Sequence, residues 1–281
     1  MEFMKRKSDF YGKMLNNIGI MQGRMVPSEK KSRIQYFPIK NWKKEINLMS
    51  DNKIRKLEWT VNFEKIKQNA LFDKDKLNEI NNIKKRFNIE IPSVTCDFFM
   101  EKPFFKGKNE FILDYLKTII ENGKKIGIKF FVLPLVDKSS IDNIKQENII
   151  INKLNKFRKN LDYDQKILFE IDYEPKKLKK FISKFDDSFG INYDSGNSAS
   201  KGYIIDDEKI YFDRVYNIHI KDRLMNGNTI SLGDGNCDFK SLFTLLKKIK
   251  YNKNLILQTA RSKKNHVKEI VKNIKFVKNF L

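Results

Sequence analysis

Hydrophobic and polar positions follow two patterns that alternate along the chain. Short apolar runs of strand length are each followed by a longer stretch in which apolar residues recur every three or four positions. Short apolar runs predict buried strands, and the longer pattern predicts amphipathic helices. The chain is therefore predicted to be a succession of strand–helix units.

Eight strands and the helices between them can be placed. The run 129–136 is the most hydrophobic, which suits a parallel strand buried on both faces. Pro175 opens one of the helices, at a position where proline is tolerated. The predicted strands are 17–23, 54–61, 89–99, 129–136, 166–172, 189–194, 215–222 and 255–261. The other predicted helices are 42–52, 75–87, 110–126, 141–160, 239–249 and 265–280.

Alternating strands and helices predict an α/β fold with a parallel sheet covered by helices. Eight units in 281 residues favour closure into a barrel, which needs about 250 residues. An open, doubly wound sheet is the alternative, but it usually carries a glycine-rich phosphate turn after its first strand. Residues 21–25 read Met-Gln-Gly-Arg-Met instead. We therefore predict one (β/α)₈ TIM-barrel domain over residues 1–281, with 1–16 as an N-terminal extension.

Composition agrees with a folded domain, since 40% of the residues are hydrophobic and 12% aromatic. The two cysteines, Cys96 and Cys237, are far apart and indicate neither a disulfide framework nor a zinc site. Charges throughout the first twenty residues argue against a signal peptide. No apolar run approaches the roughly 18 residues of a membrane helix. A cytoplasmic protein without a membrane partner is expected.

The net charge of +22 raises the question of nucleic-acid binding. Lysine supplies almost all of the positive charge, and only nine residues are arginine, which is better suited to bidentate phosphate and guanine recognition. The lysines are spread over every predicted helix. This distribution favours a solvated surface over a nucleic-acid partner, although the charge would still attract an anionic small molecule.

Polar residues mark the predicted ends of most strands. In barrels the reactive groups lie at the C-terminal ends of strands, and polar side chains there are costly to bury without a role. These strand-end residues are Gln22, Arg24, Glu58, Cys96, Asp97, Glu170, Asp172, Asp194, His219, Lys221, Asp222, Gln258 and Arg261.

Four of these residues form a candidate metal site: Glu170, Asp194, His219 and Gln258 come from consecutive strands at equivalent heights. Two carboxylates, an imidazole and an amide oxygen suit Mn²⁺, Mg²⁺ or Co²⁺ and tolerate Zn²⁺. A metal there would polarise a carbonyl, and a carboxylate beside it would move the neighbouring proton. The alternative is a structural histidine, with the carboxylates in an ion-pair network with Lys221 or Arg261.

These residues occur within a longer series of short motifs. From Ile18 to the C-terminus, the chain resembles the sugar phosphate isomerase/epimerase family, the xylose-isomerase-like barrels. The resemblance rests on the order and spacing of segments 19–24, 34–38 with Trp42, 57–59, 169–170, 193–197, 218–223, 232–239 and 258–261.

The resemblance implies a metal site of Glu, Asp, His and Glu on strands five to eight. Glu170, Asp194 and His219 match the first three, but Gln258 stands at the fourth. In the family's epimerases the two glutamates are the opposed acid/base pair, and glutamine cannot transfer a proton. It can still offer an amide oxygen to a metal or to a substrate hydroxyl. The family's apurinic endonuclease branch, which uses many histidines, does not fit a chain with two.

The resulting hypothesis is a divalent-metal-assisted isomerase or epimerase of a sugar or sugar phosphate, acting through an enediolate. Glu170 is the expected base and ligand, and Gln258 a catalytic orienting group or ligand. A sugar-binding barrel without catalysis, or a divergent lyase, is the alternative. The sugar, the metal and the oligomeric state, including a homo-oligomer, stay open. The expected substrate-binding residues are Gln22, Arg24, Glu58, Asp97, Asn197, Lys221 and Arg261.

Overall fold

The computed structural model describes residue 12, residues 14–30 and residues 34–281. Eight parallel strands close into a barrel in the order β1-β8-β7-β6-β5-β4-β3-β2, which confirms the predicted (β/α)₈ fold. The predicted N-terminal extension, 1–16, lies mostly outside the described residues. The strands are β1 (Ile18–Met21), β2 (Lys56–Thr60), β3 (Glu90–Thr95), β4 (Phe130–Leu135), β5 (Lys166–Ile171), β6 (Phe189–Asp194), β7 (Val215–Ile220) and β8 (Asn254–Leu257).

A helix follows each strand, and shorter helical turns lie in several of the loops. The helices that follow the strands are α1 (Trp42–Asp51), α2 (Lys74–Phe87), α3 (Ile112–Ile126), α4 (Ile144–Phe157), α5 (Pro175–Ile182), α6 (Ser195–Lys201), α7 (Phe239–Lys248) and α8 (His266–Lys278).

Most strands are shorter than their sequences predict. Strand β3 ends at Thr95 because Phe98–Glu101 forms a helical turn, and β8 ends at Leu257. Residues 222–223 do not extend β7 but pair antiparallel with Thr229–Ile230 in a small ribbon. Helix α6 was not predicted; it begins directly after β6, where the side chain of Asp194 accepts a hydrogen bond from the N–H of Asn197.

The hydrophobic core lies between the sheet and the helices. Four phenylalanines from β5, α5, β6 and the loop between them pack together, with ring centroids 4.8–5.9 Å apart for the pairs 169–189 and 185–189. On another side of the barrel, Trp59 of β2 contacts Trp42 at 5.7 Å and Phe37 at 5.5 Å. Burial of such large rings outside the barrel supplies much of the hydrophobic stabilisation.

The barrel interior, in contrast, is polar at its centre. Barrels are usually filled by layers of branched aliphatic side chains. Here Nε2 of His219 on β7 lies 2.7 Å from Oε1 of Glu58 on β2, and Asn217 donates to Oε2 of the same carboxylate at 2.7 Å. Since β7 and β2 are not neighbours in the sheet, these bonds cross the interior.

A single carboxylate fixes the loop between β7 and α7. Asp222, which is fully buried, accepts hydrogen bonds from the backbone N–H groups of Gly233 at 2.9 Å, Gly235 at 3.0 Å and Cys237 at 3.0 Å. A Cβ atom on Gly235 would lie 2.2 Å from Oδ1 of Asp222, so only glycine fits there. The loop therefore follows the carboxylate closely.

Asp222→Asn should destabilise the fold by about 1–3 kcal/mol, because the amide group turns a donor toward at least one backbone N–H. Urea unfolding of the variant and of the wild type measures the difference. Asp206→Asn is the matched control: Asp206 is exposed and pairs only with Lys209 at 2.9 Å, so its effect should stay within about 0.5 kcal/mol. Equal effects of the two changes would contradict the proposed role of Asp222.

Candidate active site

The base of the site is a sealed polar layer around Glu58. Ser93 donates to Oε2 of Glu58 at 2.6 Å, and Thr95 donates to Oε1. With the bonds from Asn217 and His219, both carboxylate oxygens are fully engaged, and Glu58 has no exposed surface. Glu58 was predicted to bind substrate. The structure instead places it beneath the site, where it holds His219.

His219 is oriented by its two nitrogens. Because Nε2 faces Glu58, Nδ1 faces Oε2 of Glu170 at 3.0 Å and Oδ2 of Asp194 at 4.0 Å. Burial alone would lower the pKa of His219, but the charges and hydrogen bonds of Glu58 and Glu170 raise it to about 10. The imidazole ring is thus fixed between carboxylates, with one nitrogen toward the predicted metal ligands.

Two asparagine side chains position the carboxylate of Glu170 above His219. Asn192 donates to Oε2 of Glu170 at 2.9 Å, and Asn197 donates to Oε1 at 2.8 Å. Burial would raise the pKa of Glu170, but the hydrogen bond and charge of His219 outweigh it and hold the pKa below its usual value. Burial raises the pKa of Asp194, although the charge of Lys221 opposes the change. Glu170 is therefore the more readily ionised of the two.

Three of the four predicted metal ligands converge. One oxygen each from Glu170 and Asp194 and one nitrogen of His219 lie within 4.8 Å of one another. Two carboxylates and an imidazole are a donor set that binds small divalent cations. A metal-bound histidine usually donates its other ring N–H to a carboxylate, as His219 can to Glu58. These residues therefore fit a metal ion.

Gln258, the fourth predicted ligand, is hydrogen-bonded to other side chains. Its Oε1 accepts a hydrogen bond from Nζ of Lys221 at 3.1 Å, and the same ammonium lies 2.7 Å from Oδ2 of Asp194. The ion pair that the alternative interpretation expected between Asp194 and Lys221 is thus present. It does not involve Glu170 or Arg261.

Gln258 belongs to a hydrogen-bonded chain at the mouth of the barrel, which we call the rim chain: Asp194, Lys221, Gln258, Gln35 and Asp97. Nε2 of Gln258 donates to Oε1 of Gln35 at 3.1 Å, and Nε2 of Gln35 donates to Oδ2 of Asp97 at 2.9 Å. The sequence did not identify Gln35 as a site residue, although it lies in segment 34–38.

Thr60 and Asn62 are further residues that the sequence analysis missed. Thr60 donates to Oδ2 of Asp97 at 3.2 Å, and Asn62 donates to the same oxygen at 3.3 Å. Both follow Glu58 at intervals of two, and this spacing on one strand is the signal that would have found them.

Two arginines, buried Arg24 and half-buried Arg261, lie where β1 and β8 end. Arg24 donates to the carbonyls of Thr259 at 3.0 Å and Ile34 at 3.1 Å, and Arg261 donates to that of Val26 at 2.7 Å. Within the described part of the chain, Nη2 of Arg24 and Nη1 of Arg261 have no hydrogen-bond partner. Burial and the charge of Arg261 lower the pKa of Arg24 to about 9. Gln22 lies nearby, and its Oε1 accepts from the N–H of Thr60 at 3.1 Å.

A surface cavity of about 320 Å³ is bordered by Asn197, a hydrogen-bond partner of Glu170. Asp172, Asn197, Lys201 and Arg223 contribute to its lining. Asn197 connects it to the site, since its Oδ1 accepts from Arg223 at 2.8 Å while its amide group donates to Glu170. Asn197 therefore links the cavity to the carboxylate of Glu170.

Across residue 12, residues 14–30 and residues 34–281, no helix is both long and apolar enough to cross a bilayer.

Solved structures with the same architecture include sugar-processing proteins. The IOLI protein with a bound zinc atom superposes with a TM-score of 0.73 at 16% identity, covering 94% of this chain and 99% of that one. A D-allulose 3-epimerase from Methylomonas sp. gives 0.73 at 12% identity, with 94% and 98% covered. D-Psicose 3-epimerase with D-tagatose, from Clostridium cellulolyticum H10, gives 0.72 at 11% identity, with 94% and 99% covered.

At identities of 11–16%, these superpositions establish the shared fold alone. A search of curated protein sequences found no significant match. The family model described as the xylose isomerase-like TIM barrel matches residues 57–280. The chain belongs to the xylose isomerase-like TIM barrel family.

Proposed function

We propose that the protein is a divalent-metal-assisted isomerase or epimerase that acts on a sugar or sugar phosphate through an enediolate. The observation that carries the proposal is the convergence of Glu170, Asp194 and His219 within 4.8 Å at the C-terminal mouth of the barrel. The names of three similar structures, two ketose 3-epimerases and a zinc-binding protein, support the same chemistry.

Glu170, Asp194 and His219 would hold the metal ion, with Mn²⁺, Mg²⁺, Co²⁺ or Zn²⁺ as the candidates. A bound ion would polarise the sugar's carbonyl group and so acidify the neighbouring C–H. Of the two roles expected for Gln258, ligand or orienting group, its contact with Lys221 supports the second.

Glu170 is the proposed base. The carboxylate offers Oε2 to the side of His219 and Oε1 to the side of Asn197, which borders the surface cavity. Its lowered pKa keeps it ionised at neutral pH. It would accept the proton from the carbon next to the carbonyl, and the electrons of that C–H bond would form the enediolate.

The remaining polar residues at the mouth would bind the substrate. Lys221, Arg24 and Arg261 are proposed to hold an anionic group, since each arginine carries a buried N–H group without a partner among the described residues. Gln22 has a similarly unpartnered amide nitrogen, and Asn197 faces the cavity. Bidentate guanidinium contacts are well suited to phosphate or carboxylate.

A sugar-binding barrel without catalysis is the second candidate. The observation that favours it is the ammonium of Lys221, which lies 2.7 Å from Asp194 and so neutralises part of the carboxylate charge without a metal ion. Metal binding separates the two candidates.

Metal binding by this site can be measured directly. Calorimetric titration with Mn²⁺ or Zn²⁺ should show one site in the wild type, and His219→Ala should weaken it by at least about 100-fold, because a ligand is lost and Glu58 is left unpaired. His266→Ala is the control, since it removes the only other histidine and should leave the affinity unchanged. No binding heat in the wild type would favour the sugar-binding candidate.

The second prediction concerns the base. Glu170→Gln should slow the exchange of a substrate C–H proton with solvent deuterium by about 10²–10⁴-fold, because the amide accepts no proton. Proton NMR of D-fructose, D-tagatose and D-fructose 6-phosphate in D₂O follows the exchange. Glu121→Gln, an exposed residue on α3, serves as the control and should exchange like the wild type. Exchange that survives Glu170→Gln would remove Glu170 as the base.

A further inference from the structure

Glutamine at position 258 leaves the site with one carboxylate fewer than a pair of opposed glutamates would provide. The rim chain links this glutamine to another carboxylate, that of Asp97, through one intermediate side chain. Asp97 is neither a candidate metal ligand nor the proposed base, so its carboxyl group is available for another chemical role.

From Lys221 to Asp97, the hydrogen bonds of the rim chain have a single direction. Lysine can only donate, so the oxygen of Gln258 must face Lys221 and its amide nitrogen must face Oε1 of Gln35. The amide nitrogen of Gln35 then donates to Thr60 at 3.0 Å and to Asp97 at 2.9 Å. A glutamate at position 258 has no N–H to offer Gln35. The amide at this position is therefore what completes the chain.

The two oxygens of Asp97 differ in their surroundings. Oδ2 accepts hydrogen bonds from Gln35, Thr60 and Asn62. Oδ1 receives none from the residues that the structure describes. Asp97, Gln35 and Gln258 retain 3%, 8% and 9% exposure, whereas Glu58 and His219 below them retain none. Asp97 thus belongs to the layer that meets solvent at the mouth, with one oxygen fixed and the other free.

We propose that Asp97 is the second proton-transfer group of the site and that Gln35 and Gln258 are positioning residues that hold it at the mouth. The assignment rests on the proposed function and deepens it, because it makes the site a two-group epimerase rather than a one-base isomerase. The missing carboxylate of strand eight is replaced by one from the end of strand three.

The proposed epimerisation consists of two proton transfers. Glu170 takes a proton from the carbon next to the carbonyl, and the enediolate forms. Asp97 in its acid form delivers its own proton to the opposite face of the same carbon, which regenerates the C–H bond with inverted configuration. Glu170 is then protonated and Asp97 is a carboxylate, and both return to their starting states by exchange with water. No oxidant or further reactant is needed.

The surroundings of Asp97 supply its acid form near neutral pH. Burial raises the pKa of Asp97 to about 7, against the opposing hydrogen bond from Gln35, and the nearby charge of Glu170 adds to the rise. A general acid works best when its pKa lies near the working pH.

The experiment uses the Mg²⁺-loaded full-length protein with D-fructose or D-tagatose in D₂O, and proton NMR follows two quantities separately. One is deuterium incorporation at the carbon next to the carbonyl, and the other is the amount of epimer formed. In Asp97→Asn the epimer should fall by at least about 100-fold, while deuterium incorporation through Glu170 stays within about threefold of the wild type. Asp97→Glu, which keeps a carboxyl group, should recover part of the epimer.

Asparagine is a suitable replacement because its oxygen can still accept from Gln35, Thr60 and Asn62. Glu147→Gln is the matched control, because it neutralises another buried carboxylate. Glu147 lies on α4 and accepts a hydrogen bond from Tyr173 at 2.8 Å, and its replacement should leave deuterium incorporation and epimer formation unchanged. Thermal unfolding of each variant identifies loss of fold, and the Asp97→Glu result then decides the assignment.

Gln258→Met tests the positioning role, because it breaks the rim chain without changing the carboxyl group of Asp97 itself. It should lower epimer formation more than deuterium incorporation. Equal loss of both quantities would show that Gln258 acts on Glu170 instead and would overturn the positioning role.

The outcomes separate the two proposals. If Asp97→Asn exchanges deuterium and forms epimer at the rates of the wild type, the role of Asp97 is overturned and the proposed function stands. Equal loss of exchange and epimer in that variant would also overturn it, since Asp97 would then only support the site. A wild-type protein that exchanges no proton with any of these sugars would overturn the proposed function, and this assignment with it.

Discussion

The bond between His219 and Glu58, 2.7 Å long and fully buried, is the interaction on which the rest of the site depends. It joins two strands that are not neighbours in the sheet, and it decides which imidazole nitrogen faces Glu170 and Asp194. Either partner alone would be a buried charge without a counter-charge, a situation that typically costs 3–5 kcal/mol. The histidine and the carboxylate are therefore needed together, and the convergence of the three candidate ligands follows from their pairing.

The polar residues at this end of the barrel form two layers with different roles. The lower layer has no exposed surface, and each of its oxygens around Glu58 is engaged by a side chain from another strand. The rim chain above it keeps a few per cent exposure and ends in Asp97, whose Oδ1 lacks a hydrogen bond within the described residues. Rigid support below and available groups above are what a reaction site in a barrel requires.

Much of this arrangement could be predicted because strand ends and barrel mouths coincide. Glu170, Asp194 and His219 end consecutive strands, and the pairing of Asp194 with His219 puts them at one level. The place of Glu58 could not be predicted, since it depends on the stagger of the strands around the barrel. His219 pairs with Ile256, Ile256 with Gly19 and Gly19 with Lys56, so that Glu58 lies two residues from the level of His219. Gln35 was missed because it lies in a loop, and the path of that loop is set by contacts such as that between Asn62 and the N–H of Phe37.

The polar interior has a consequence for how the barrel closes. Strands in an aliphatic barrel can slip by two residues and still present an apolar side chain inward, at a modest energetic penalty. In this protein, a slip of β7 by two residues would place Asn217 or Lys221 where His219 now meets Glu58, and the cross-barrel bonds would be lost. The strand register that closes the sheet is thus the same register that assembles the site. A molecule that has folded correctly has its candidate ligands in place without a further rearrangement.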